Sequence, residues 1–359
     1  MDSTATSPLS ILFPTPRRMR PRPRLLPAIP RLSVVVVNYL SWRDTASLVR
    51  QLRTTPALRH GAAEIIIVDN DSPWHPLIAR LRRMPNVSLR RWRGNRGFAR
   101  AVNEGVRLSR GDWVLLLNPD MSLEPGFLDK ALARAEVLAQ SDPDTGILGF
   151  GLSDADGGSQ RSAGPFPTLI SSLLRLMLPR RWRKYYLGDL NTCRPVDWVT
   201  GCCLLVRRTC WESVGGLDGD FFLYYEDVDL CRRARENGWT VWHEPELTAT
   251  HHHPLHARPV PAHLRLVTRH ALLTYARKHW PRWQTSVLAG IIRMEAWWRQ
   301  RRAWKRGDVQ RAGLFDSLGR MVGDFARGQV ARAGQRLLRV VRRREEWRAA
   351  VTDHRDSQS

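Results

Sequence analysis

The sequence predicts an α/β domain, a mixed but mostly parallel sheet flanked by helices, followed by a helical C-terminal extension. Three observations carry this expectation. SVVVVN (33–38) and EIIIVDN (64–70) are continuous β-branched runs, short and apolar through their centres, as strands buried on both faces are. Stretches of helical period at 42–54 and 98–109 alternate with strand-like runs, the pattern of a sheet covered on both sides. From about residue 262 onward only helical periods remain.

The elements follow in order. Residues 1–31 mix proline with arginine, show no period, and are expected to be disordered. The main domain is expected to span 32–261. After the two opening strands, Val87–Trp92 reads as a third and WVLLL (113–117) as a fourth. A helix at 126–139 then leads to the apolar strand GILGFGL (146–152), an irregular Gly/Ser-rich stretch reaching about 165, and a basic, aromatic segment at 166–195 that includes LPRRWRKYY. The strand CCLLVRR (202–208), a helix at 227–237 and a strand pair near 240–242 and 247–251 complete the domain. Residues 262–359 form the helical C-terminal region.

With 359 residues and 43% hydrophobic content, the chain can bury a substantial core in one large domain or in two. Its net charge of +23 is unevenly placed. Residues 1–31 hold 6 Lys/Arg against 1 Asp/Glu and residues 258–359 hold 23 against 8, leaving 28 against 25 in the nearly neutral middle. Cationic ends suit an anionic membrane surface or nucleic acid. The five cysteines (193, 202, 203, 210 and 231) form no CxxC pair, and the start shows no signal-peptide pattern. Reduced thiols in a cytoplasmic protein are therefore expected, with Cys202 and Cys203 as small core residues. No run of 18 apolar residues predicts a transmembrane helix.

The chemistry concentrates in FFLYYEDVDL (221–230), where Glu226, Asp227 and Asp229 interrupt an apolar run directly after a glycine-rich turn. Charge placed where burial would normally forbid it is how a catalytic base is housed. Ligands of open α/β sheets bind at the carboxyl ends of strands. Asn38 ends the first strand, Asp69 and Asn70 the second, and Asn118-Pro119-Asp120 the fourth, a grouping that points to a nucleotide site. Carboxylates there accept hydrogen bonds from a ribose or base, or hold a divalent cation. GxxxxGK[ST] is absent and no GxGxxG is well placed, so neither a P-loop kinase nor a Rossmann dehydrogenase is supported. Gly94–Phe98 precedes a helix, where its amides and Arg96 could approach a diphosphate.

The ordered series VVVVNY, IIIVDN-S, NRGFARAVNEG, LLLNPD, DWVTGCCLLVRR, GGLDGDFFLYYEDVDLCRRARENGW and EPELTATHH resembles the family 2 glycosyltransferases, specifically their rhamnosyltransferase-like bacterial branch. The resemblance runs from about residue 32 to 253. It implies a GT-A fold, a nucleotide-diphospho-sugar donor and inverting transfer of a sugar such as rhamnose. The implied acceptor is a glycan or a polyprenyl-diphosphate-linked glycan of cell-envelope polysaccharide or glycolipid biosynthesis. Asn118-Pro119-Asp120 occupies the family's DxD position, with Asp120 and His251 as the implied ligands of Mg²⁺ or Mn²⁺. Asp69 matches the residue that holds base or ribose, with Asn38, Tyr39, Asn70, Arg96, Gly97, Asn103 and Asn118 completing the implied donor site. Glu226-Asp227 matches the ED motif. The base role falls to Asp227, with Glu226 the alternative, and Asp229 reads as helix N-terminal charge. Trp198 and Gly201 are expected to shape the acceptor side, and Gly215-Gly216 to supply a turn of positive φ.

Two further function classes stay open at this point: a basic nucleic-acid-binding protein, and a non-catalytic glycan-binding relative. In the C-terminal region Leu314, Leu318, Met321 and Phe325 form one apolar stripe and Val287, Leu288, Ile291 and Ile292 another, with Trp297, Trp298 and Trp304 set among arginines. Helices packed on the domain and helices lying on an anionic membrane, at the inner face of the cell membrane, are compatible readings of that pattern.

Overall fold

The structure, a computed structural model, describes residues 29–177, 192–253 and 261–342. The expectations for residues 1–28 and for LPRRWRKYY lie outside the described residues. The first half alternates strand and helix: β1 (Leu32–Asn38), α1 (Trp42–Leu52), α2 (Pro56–Arg59), β2 (Ala63–Asn70), α3 (Leu77–Arg82), β3 (Val87–Trp92), α4 (Phe98–Leu108) and β4 (Trp113–Leu117). There follow β5 (Met121–Leu123), α5 (Phe127–Ser141), β6 (Thr145–Ser153), β7 (Ser159–Gln160), β8 (Ala163–Gly164) and α6 (Leu169–Met177). Next come β9 (Arg194–Pro195), β10 (Trp198–Val199), β11 (Cys203–Arg207), α7 (Arg208–Ser213), α8 (Glu226–Glu236) and β12 (Thr240–His251). The described residues finish with α9 (Ala262–His279), α10 (Arg282–Trp304), α11 (Val309–Ala326) and a helix over 330–342.

The main sheet runs β3, β2, β1, β4, β11, β6, β12, β5. Its first four strands are parallel, β11 lies antiparallel between β4 and β6, and β6 pairs parallel with β12. The β-branched runs explain why both faces are covered. Val34, Val36, Ile65, Ile67 and Leu115 turn toward a core shared with α1, α3 and α5, whereas Val35, Val37, Ile66, Val68 and Val114 turn toward a second core shared with α4, α7 and α8. Period-2 side chains of one strand thus feed two layers, and each buried Val or Ile contributes about 1.5–3 kcal/mol relative to exposure. A Cβ at Gly105 would come within 2.4 Å of Val35 Cγ1, so glycine lets α4 lie close on β1.

Two expectations are revised. The separate strands near 240–242 and 247–251 are one strand, β12, with a register shift between Glu244 and Thr248. Pro245 falls at that shift; lacking an N–H, it interrupts the ladder without ending the strand. In α10, Leu288 and Ile292 are buried but Val287 is exposed, because the packed face follows the helix and leaves the residue before Leu288 turned outward. In α11, Leu318, Met321 and Phe325 are buried as expected, joined by Phe315.

The C-terminal helices share a third core with Phe221 and Val228, which flank the ED pair. Asp229, fully buried in the first turn of α8, fastens this junction. Its Oδ2 accepts from Arg233 Nε at 2.8 Å, and its Oδ1 lies 2.7 Å from Lys278 Nζ and 2.8 Å from His279 Nε2 at the end of α9. Burial alone would raise its pKa, but the His279 bond and the Arg233 and Lys278 charges hold it at about 2. Asp229 is therefore more than helix N-terminal charge: it ties α9 to α8.

Candidate active site

The carboxyl ends of β1 and β2 form a rigid polar wall. Asn38 Nδ2 donates to Asp69 Oδ1 at 2.8 Å and to Ser72 Oγ at 3.0 Å, while Thr45 Oγ1 donates to Asn38 Oδ1 at 2.9 Å. Asp69 also accepts from the Ser72 backbone N–H and, through Oδ2, from Arg91 Nε at 2.9 Å. Both Asp69 oxygens are engaged and the residue is fully buried. Asn70 accepts from the Arg96 N–H at 2.9 Å and donates to Asn95 Oδ1 at 2.9 Å, pinning the loop before α4. Of the expected donor residues, Tyr39 and Asn118 are partly exposed, and Arg96 is exposed with its guanidinium 4.7 Å from the Trp92 ring centroid.

Three expected donor residues are tied into the frame. Asp69 and Asn38 hold each other and the turn at Ser72. Asn103 donates to the Leu217 carbonyl at 2.7 Å and accepts its N–H at 3.0 Å. The physical reason is burial: a polar side chain inside a packed layer must find partners there, and nearby backbone supplies them. Gly97 belongs to the same clamp. It has φ +91°, an added Cβ would lie 2.8 Å from the Phe222 carbonyl, and the following N–H of Phe98 donates to that carbonyl at 2.7 Å. Helix α4 therefore grips the 215–222 loop leading into the ED pair, in which Gly215 and Gly216 both take φ +73° as expected.

Asp120, just past β4, meets the end of β12. His251 Nε2 lies 3.4 Å from Asp120 Oδ2, and the His252 N–H donates to the Asp120 carbonyl at 3.0 Å. Burial would raise the pKa of Asp120, yet the contact with His251 outweighs it and lowers the carboxyl below its ordinary value. An ionised carboxylate beside an imidazole nitrogen is a donor set that fits a divalent cation. Among the described residues no group of three or more His, Cys, Asp or Glu gathers, so a cation at Asp120 and His251 would draw its remaining ligands from a bound anion and water. His251 is oriented by Gln160, whose amide atoms lie 3.0 and 3.1 Å from its Nδ1. Nothing in the sequence around Gln160 marks this role; a pairing across 91 residues appears only once β7 lies beside β6.

The ED pair begins α8 after two strained residues, Tyr224 (φ +74°) and Tyr225 (φ +67°). Left-handed backbone at non-glycine residues costs on the order of 1–3 kcal/mol each and persists where packing enforces it. Here the Tyr225 ring packs 5.7 Å from Tyr275 of α9. The two carboxylates diverge. Glu226 is buried, its Oε2 lacks a partner among the described residues, and burial with Asp227 beside it raises its pKa well above the ordinary value. Asp227 is partly exposed, and accepts the Gly201 N–H at 2.8 Å and the Val228 N–H at 2.9 Å. Burial also raises its pKa, opposed by those backbone donors.

Cys202, one residue after Gly201, joins the two carboxylate sites. The Asn118 N–H donates to its carbonyl at 2.9 Å, and its thiol, raised to about 12 chiefly by burial, is pushed further by both Asp227 and Asp120. Asp120 and Asp227 thus both come near Cys202, although 107 positions separate them in the chain. Trp198 stands nearby on β10, its Nε1 donating to the Pro165 carbonyl at 2.8 Å and its ring 5.4 Å from the Arg161 guanidinium.

Comparison with known proteins gives the family. The family model described as "Glycosyltransferase like family 2" matches residues 30–280. An N-acetylglucosaminyl-diphospho-decaprenol L-rhamnosyltransferase from Mycobacterium tuberculosis is 33% identical over 239 residues, covering 62% of this chain and 76% of the relative. A low-salt glycan biosynthesis hexosyltransferase from Haloferax volcanii is 27% identical over 241 residues, covering 62% of this chain and 68% of the relative. A solved mannosyltransferase from Pyrobaculum calidifontis, in complex with GDP-mannose and Mn²⁺, covers 86% of each chain at 15% identity with a TM-score of 0.47.

Proposed function

Since the chain belongs to the family 2-like glycosyltransferases, an enzyme family of GT-A fold, we propose that it is a metal-dependent inverting transferase. The donor in this reading is a nucleotide-diphospho-sugar, with rhamnose the sugar indicated by the mycobacterial relative. The acceptor is a polyprenyl-diphosphate-linked glycan of cell-envelope assembly, reached at the inner face of the cell membrane. No helix among the described residues is long and apolar enough to cross a membrane, which fits a peripheral enzyme.

The observation that carries the reading is the pair of carboxylates near Cys202: Asp120, lowered and beside His251, and Asp227, raised and held by the Gly201 N–H. Asp120 and His251 would hold a divalent cation, which would supply positive charge to the departing diphosphate. Asp227 receives the proton of the acceptor hydroxyl as that oxygen attacks the anomeric carbon from the face opposite the leaving group. A raised pKa suits this task, because a more basic carboxylate takes the proton more readily. Glu226, the neighbouring residue, is buried at the start of α8, its pKa raised by burial and by Asp227. Tyr39, Arg96 and Asn118 line the donor side, and Trp198 with Gly201 the acceptor side.

The test is nucleoside-diphosphate release from a panel of nucleotide sugars with Mg²⁺, Mn²⁺ or chelator. Release with one donor that requires the cation and falls at least a hundredfold in Asp120→Ala supports the proposal. Undiminished release by Asp120→Ala contradicts the metal assignment.

A further inference from the structure

The outer face of α10 carries a line of large apolar side chains that the fold leaves in water. Trp283 (62% exposed), Val287, Met294 (64%), Trp297 (53%) and Trp298 (50%) recur at helical spacing along one side, while Leu288, Ala289, Ile292, Ala296 and Ala303 pack inward. Twenty-three residues of helix make this face about 35 Å long. Arginine is interleaved with it. Arg293, Arg301, Arg302 and Lys305 are exposed on the same side, and the Arg301 and Arg302 guanidinium groups lie 4.5 and 5.2 Å from the rings of Trp297 and Trp298. The helix has one acidic residue, Glu295, and it is engaged by Arg269 and Arg299 at 2.9 and 2.8 Å.

From this face we infer that α10 is the membrane-docking surface of the enzyme and that its partner is an anionic lipid bilayer. The inference rests on the proposal that the acceptor is lipid-linked, and adds which residues bring the active site to the lipid. Tryptophan places its apolar body among acyl chains and its indole N–H at the headgroups. Arginine beside it reaches lipid phosphate in bidentate fashion. A second copy of the chain fits poorly, because its own cationic α10 would be brought against this one. The docked helix shares its core with Phe221 and Val228, and Asp229 ties that core to α8. Membrane contact and the ED pair therefore stand on one packed unit.

The experiment is co-sedimentation of the full chain with phosphatidylcholine vesicles, with and without phosphatidylglycerol, alongside nucleoside-diphosphate release in vesicle-free solution. Wild type binds the anionic vesicles and binds less as salt is raised. Neutralising Arg293, Arg301 and Arg302 to Gln lowers affinity on the order of a hundredfold, at roughly 1 kcal/mol per cation. The triple variant Trp283→Ala, Trp297→Ala, Trp298→Ala loses at least about tenfold, and both variants keep wild-type release in solution. The inference is overturned if wild type ignores anionic vesicles, or if arginine loss abolishes binding while tryptophan loss changes nothing, as a nucleic-acid contact would behave. It is equally overturned if the tryptophan variant converts a dimer to a monomer by light scattering. Failure of the transferase proposal looks different: no donor is cleaved, yet vesicle binding persists.

Discussion

Asp227→Asn isolates the base from the fold. The carboxylate accepts two backbone donors, Gly201 N–H at 2.8 Å on one oxygen and Val228 N–H at 2.9 Å on the other. A carboxamide has one oxygen, so one of those N–H groups must face an NH₂, at a cost of about 1–3 kcal/mol. Against the roughly 5–15 kcal/mol of a folded domain this lowers Tm by several degrees without unfolding the protein. Catalysis suffers more. Loss of a positioned general base costs about 10²–10⁴ in kcat, while donor affinity, set on the Asp120 side, stays within about twofold. Because burial raises the Asp227 pKa, the acid limb of kcat/KM lies above the ordinary Asp value near 3.9 and vanishes in the variant. Glu226→Gln is the matched control. Glu226 is buried with an unpartnered Oε2 and a strongly raised pKa, so a neutral amide of similar size should leave turnover within about threefold. Steady-state transfer and donor titration on both proteins decide the matter. Asp227→Asn turning over within tenfold of wild type, or Glu226→Gln falling as far as Asp227→Asn, refutes the assignment.

Three other outcomes follow from the geometry. Asp229 has its folded pKa lowered to about 2, so its stabilisation, about 2 kcal/mol, is present above the unfolded value near 3.9 and lost as pH falls through 2. Urea midpoints of wild type and Asp229→Asn should differ most near neutral pH and converge only below about pH 2; a gap independent of pH contradicts the ion-pair account. Gly97→Ala should cost about 2 kcal/mol, since φ is +91° and the new Cβ would meet the Phe222 carbonyl at 2.8 Å, and an unchanged thermal midpoint would rule out the clamp. Asn103→Ala, which orphans both backbone groups of Leu217, should lower stability by about 2 kcal/mol and leave donor affinity unchanged, whereas a large rise in donor KM would return Asn103 to the donor site.

Much of the site was legible because its residues end strands. A run such as EIIIVDN announces both a buried strand and the polar residues at its carboxyl tip, and Asp120 could be read in the same way, whereas the ED pair was marked by charge inside an apolar run. Which polar tips stay open to a ligand was not legible. Asp69 bonds Asn38, Ser72 and Arg91, and Asn103 bonds Leu217, partners that chain order does not announce. The C-terminal stripes were visible as period, but the phase that buries Leu288 and exposes Val287 depends on what α10 packs against.

The sequence by itself determined the alternation of strands and helices, the carboxylates available for catalysis and the cationic, tryptophan-rich end. These are local properties of side-chain pattern and backbone chemistry. Tertiary structure alone decided that β11 enters antiparallel between β4 and β6, and that Asp120 and Asp227 both come near Cys202. It also decided that Glu226 is enclosed while its neighbour meets the Gly201 N–H. Burial and the identity of a distant hydrogen-bond partner set a carboxylate's pKa and exposure, and both come from segments far along the chain.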